Sequence, residues 1–97
     1  MLILSRKQNE RIRIVTPCGA VIWLTMQVDW IDCDDGSGLE PVRAIRNHSA
    51  IFRFEDGEVE ISLRPASGTQ HAHRVGIQAP ENFYILREEL INQGGYT

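Results

Sequence analysis

Ile51-Phe52-Arg53-Phe54-Glu55-Asp56-Gly57-Glu58-Val59-Glu60-Ile61-Ser62-Leu63 decides the fold class. Two runs of β-favouring residues flank Asp56-Gly57, and Asp-Gly supplies the left-handed backbone that a tight hairpin turn needs. Val59, Ile61 and Leu63 alternate with Glu58, Glu60 and Ser62, the period of a strand with one face buried. The stretch therefore predicts strand, turn, strand.

Towards the N-terminus the same grammar repeats. Residues 39–50 stay open between two readings, because Glu40-Pro41 can start a helix while Val42-Arg43-Ala44-Ile45-Arg46 can equally form a short strand. Asp32-Cys33-Asp34-Asp35-Gly36-Ser37-Gly38 reads as a loop. Ile22, Leu24, Met26, Val28 and Trp30 fall at a spacing of two and predict one long third strand after a turn at Pro17-Cys18-Gly19. In Arg11-Ile12-Arg13-Ile14 the isoleucines face a core and the arginines face water or a ligand. Leu2-Ile3-Leu4 opens the chain as a first strand, followed by a hairpin turn over Ser5-Arg6-Lys7-Gln8-Asn9-Glu10.

Towards the C-terminus, Pro65 to Ala72 reads as a loop and Arg74-Val75-Gly76-Ile77 as a strand ended by Ala79-Pro80. Phe83 to Leu86 form the last strand. Arg87 to Gln93 have helix-forming composition and Gly94-Gly95 a natural stop. The outcome is a mainly antiparallel β chain with a short C-terminal helix, without an evident internal repeat.

The 97 residues suit one small domain, which buries a smaller share of its surface than a large one and gains from self-association. A composition 42% hydrophobic and 24% charged is that of a folding chain. The net charge of -3 argues against a surface that coats nucleic acid indiscriminately, so any RNA site must be local. Nine arginines against one lysine favour planar, bidentate contacts. No run approaches the roughly 20 apolar residues of a membrane span, and Arg6 and Lys7 follow the apolar start too soon for a signal peptide. Cys18 and Cys33 are expected as free thiols of a reducing cytoplasm.

Catalytic and metal patterns are weak. In a strand His71 and His73 would share one face, yet no Cys-x-x-Cys or His-Glu-x-x-His accompanies them, His48, Cys18 or Cys33. Asp32, Asp34 and Asp35 suggest a calcium loop, but the twelfth position counted from Asp32 is Arg43, where a bidentate glutamate is required. No nucleophile has an evident base partner. Neither enzyme activity, metal nor cofactor is expected.

The two ends carry a more specific signal. Met1-Leu2-Ile3-Leu4-Ser5-Arg6-Lys7, Glu10 and Ile14, with Arg74-Val75-Gly76-Ile77-Gln78-Ala79-Pro80 and Arg87-Glu88-Glu89-Leu90, resemble the carbon storage regulator (CsrA/RsmA) family of bacteria. The resemblance covers residues 1–14 and 74–91, and extends to 19–28 as the family's third strand. It implies a small β-barrel-like, intertwined homodimer in which the first and last strands of one chain pair with strands of the other. It further implies a post-transcriptional repressor that binds GGA-containing loops of messenger leaders or small RNA. The RNA would lie along residues 2–7 of one chain and 79–87 of its partner. Leu4 would pack a base, and Arg6 and Arg87 would grip phosphate or a base edge. Ser5 and Lys7 would be secondary contacts, Ala79-Pro80 would shape the turn, and Tyr84 would stack on a base or crowd the groove.

Asn9 stands where the family has glycine in the first turn and is the residue best able to replace it there. Glu81 and Leu86 replace basic or histidine residues. The largest departure is residues 29–70, expected as an insertion in a core of 1–28 and 71–97. Trp30, Val42, Ile45, Phe52, Phe54, Val59 and Ile61 would form a satellite core there. Such an insertion could cover a sheet edge, contact RNA through Arg43, Arg46, Arg53 and Arg64, or take a regulatory protein partner. A protein-interaction module on the same scaffold, with RNA binding weakened or lost, is the alternative function.

Overall fold

The structure, a computed structural model, describes residues 1–65 and 73–91. Its strands are β1 (Leu2–Arg6), β2 (Arg11–Val15), β3 (Val21–Met26), β4 (Trp30–Asp34), β5 (Val42–Ile45), β6 (Ala50–Phe54), β7 (Gly57–Arg64), β8 (His73–Gln78) and β9 (Tyr84–Arg87), with α1 (Glu88–Ile91) at the end. They form two antiparallel sheets, ordered β1-β8-β7-β6 and β5-β4-β3-β2-β9. The mainly β expectation holds, as two sheets and not as a closed barrel. The predicted hairpin forms, but its turn residues are Glu55 and Asp56, with Gly57 already in β7 opposite Phe54. The expected loop over 66–72, His71 and the helix end at Asn92 to Gly95 lie outside the described residues. None of the described helices is long and apolar enough to cross a membrane.

One core joins the sheets. Ile12, Ile14, Ile22, Leu24, Met26, Ile31 and Cys33 from the five-stranded sheet belong to the same buried cluster as Phe52, Val59, Ile61, Val75 and Ile77 from the four-stranded one. The period-two pattern on β2, β3 and β7 puts these side chains inward, where burial of each large aliphatic is worth about 1.5–3 kcal/mol. Residues 29–70 therefore do not build a satellite core. Their apolar residues supply about half of the one buried cluster found among the described residues, while Val42 and Ile45 stay exposed.

Three local expectations are corrected. Leu2-Ile3-Leu4 extends through Arg6 and does not pair with β2; the turn is a crossover from one sheet to the other. Asn9 takes a left-handed φ of 70° there, as its replacement of glycine requires. Its N–H donates to the Met26 carbonyl at 2.7 Å, so the turn docks on the end of β3. The long third strand breaks at 27–29, where the Gln27 N–H donates to the Trp30 carbonyl at 2.8 Å and Val28 is exposed. Spacing alone cannot separate a strand from a turn that carries an exposed valine. Ile31, not Trp30, consequently takes the inward place. Asp32 to Asp34 continue β4, and the open stretch 39–50 contains the strand β5.

The topology repeats although the sequence shows no repeat. β2-β3-β4 form a three-strand meander in one sheet and β6-β7-β8 form one in the other. β1 flanks β8, and β5 flanks β4. Each half thus gives its leading strand to the sheet of the other. Both crossovers contain a left-handed asparagine, Asn9 and Asn47, with φ of 70° and 68°. The two hairpin tips meet, the Cys18 N–H donating to Asp56 Oδ2 at 3.0 Å.

Candidate nucleic-acid interface

Among the described residues β1 and β9 are edge strands of different sheets. Leu2, at the start of β1, is opposite Ile77, from which the chain passes through Ala79-Pro80 into β9. At the other end Arg6 is clamped to Glu89, just beyond the end of β9. The two edges, tied at both ends, bound a seam, and among the described residues neither has a strand partner on its free side.

The strand alternation sorts the candidate residues. Leu4 and Arg6 share the inner face of β1, and Ile85 and Arg87 the inner face of β9, opposite Ile14 and Ile12. These side chains lie on the inward faces of the two edge strands. Leu4 is half-buried against the core. Ser5 lies on the outer face of its sheet opposite Arg74, and Tyr84 lies on the outer face of the other, opposite Val15. Tyr84 is 68% exposed but shares its face with Leu86 and Arg13, away from Arg87. Lys7 is exposed in the crossover, which Glu10 closes by accepting the Lys7 N–H and donating its own N–H to the Lys7 carbonyl.

Arg6 does not serve as expected. It is 3% exposed, and its guanidinium donates to both Glu89 carboxylate oxygens at 3.0 and 2.8 Å and to the Arg11 carbonyl at 3.1 Å. Such a two-pronged pair uses the donors a phosphate would need. Arg6 is thus a clamp that fixes α1 to the end of β1. Hydrogen bonding to Glu89 raises the Arg6 pKa, and the same bond lowers that of Glu89 to about 2.

Glu89 gives a pH prediction. An unperturbed glutamate titrates near about 4.3, so the clamp's full contribution to stability is present above that value and is lost as pH falls through about 2. A carboxyl NMR titration should place the Glu89 midpoint far below the ordinary range in the native protein. In Arg6→Met it should return to that range.

Arg87 is left in a different condition. It is exposed, and the two carboxylates that follow it are engaged elsewhere: Glu88 with Arg11 at 3.3 Å and Glu89 with Arg6. Among the described residues no carboxylate pairs with Arg87. Glu89, held by Arg6, still attracts Arg87 electrostatically, but no ion pair among the described residues takes up the Arg87 donors. Comparison with family models, with curated proteins and with solved structures returns no match.

Ala79 and Pro80 are shaped from below. The Phe83 N–H donates to the Pro80 carbonyl at 3.1 Å, and Phe83 is buried beneath the turn. Gly57, at φ 147°, lies under Pro80, and a Cβ there would approach Pro80 Cγ to 2.5 Å. The hairpin of residues 50–64 thus supports the wall of the seam. Gly57→Ala should cost about 1–3 kcal/mol through the backbone and the collision together, read as a lower denaturation midpoint.

Two features were missed from the sequence. The clamp could have been suspected from Glu88-Glu89, since consecutive carboxylates at a strand end point to different partners. The second is on the outer face, where Arg11 stacks over Trp23 at 3.9 Å and Arg43 over Trp30 at 4.7 Å. Cross-strand proximity of these residues depends on register, which carries no local signal. Cys33 is buried, and burial pushes its thiol up to about 12, the opposite of an activated nucleophile.

Proposed function

We propose that this chain is a cytoplasmic, sequence-specific RNA-binding regulator, which seats a GGA-containing loop of a messenger leader or small RNA along the β1/β9 seam. It would thereby repress translation or alter message stability. The observation that carries this reading is the exposed guanidinium of Arg87, which makes no ion pair among the described residues, at the end of an edge strand. Unstacked loop bases are recognised by backbone groups and by arginine, and a local site of this kind is compatible with a net charge of -3. The motifs at the two ends of the chain, which resemble those of the carbon storage regulator family, supply both walls of the seam.

A gel-shift titration with a short hairpin presenting GGA in its loop, against a scrambled-loop control, tests the reading. Binding that requires GGA is expected. Equal affinity for both loops would overturn it and favour the protein-interaction module, for which the exposed Leu2 and Ile3 on an edge strand are the supporting feature.

A further inference from the structure

We infer that a single chain is the complete functional unit, an internal pseudo-dimer with one RNA seam and not two. This rests on the proposed function for the identity of the ligand, but not for the architecture.

The pairings that the family resemblance places between two chains occur here between two halves of one. β1 of the first half lies on β8 of the second, β5 of the second half lies on β4 of the first, and β9 returns from the second half to β2 of the first. The hairpin tips meet through Cys18 and Asp56, and the core crosses between halves without a gap. A strand-exchanged dimer of two chains would make the same contacts and would also have to bring two molecules together. Tethering by crossovers of four residues holds the partner strands at an effective concentration on the order of millimolar, so the closed chain wins at micromolar protein.

The two halves are unequal, and the inequality sets the number of sites. The first half passes from β4 to β5 through residues 35–41 alone, with no strand or helix corresponding to β9 and α1. Among the described residues nothing pairs with the outer side of β6, whereas β9 covers the outer side of β2. The strand end that carries the clamp arginine in β1 carries Ile45 in β5. The second seam therefore lacks its far wall, its clamp and any counterpart of Arg87.

Light scattering on the full chain at micromolar concentration should give the mass of one chain, about 11.0 kDa. Titration with the GGA hairpin should saturate at one RNA per chain. In a Cys18→Ser background, the cross-strand pair Ser5→Cys with Arg74→Cys should oxidise to a species that runs as a single chain without reductant. A two-chain mass, a covalent dimer from that pair, or two hairpins bound per chain would each overturn the inference. Should the RNA fail to bind, the proposed function fails, while the mass and the crosslink still decide the architecture.

Discussion

Arg87→Ala is expected to weaken binding of the GGA hairpin by roughly 10- to 100-fold while leaving the fold unchanged. Hydrogen bonds to a charged group contribute about 1.5–3 kcal/mol, and among the described residues the exposed Arg87 makes no ion pair whose loss would disturb the protein. The same variant separates two modes of contact. If Arg87 holds phosphate, the loss should be uniform across loop sequences, and the slope of log affinity against log salt should fall by about 0.7, the value for one phosphate of a single strand. If it grips a guanine edge, the loss should be concentrated on GGA, and Arg87→Lys should fail to rescue it because lysine lacks the fork. An unchanged affinity would remove Arg87 from the interface and with it the main support for the seam.

The second large effect is on stability. Ile61 is fully buried at the centre of the four-stranded sheet, opposite Ala50 on one side and Ile77 on the other. Ile61→Ala should cost about 2–5 kcal/mol from lost transfer energy and the cavity left behind. For a chain of this size that lowers the melting temperature by about 10–30 °C. Because the core is continuous, the loss should appear in one transition. Trp23 and Trp30 report on the other sheet, so tryptophan fluorescence and circular dichroism should melt together. Fluorescence that melted independently of the mutated hairpin would show two separate cores.

The contrast between Arg6 and Arg87 shows why a site is harder to read than a fold. The motifs at opposite ends of the chain point both arginines at the ligand. Their fates diverge because Glu89 gives both carboxylate oxygens to Arg6 and only a longer-range attraction to Arg87, a result of where β1 ends relative to β9. Tyr84 differs for another reason: β9 runs through Arg87 instead of yielding it to the helix, and two residues three apart on one strand fall on opposite faces.

The sequence by itself determined the local events: the Asp56-Gly57 hairpin, the inward faces of β2 and β7, the strand at Arg74 to Ile77, and the tolerance of Asn9 for a left-handed turn. Each rests on backbone preference or on period-two burial over a few residues, and these are local properties. Only the tertiary structure decided that β1 leaves β2 for the other sheet, that residues 29–70 complete a shared core, and that the two halves exchange strands. Sheet pairing is chosen among strands far apart in the chain, by which arrangement buries all their apolar faces together, and no short stretch of sequence carries that choice.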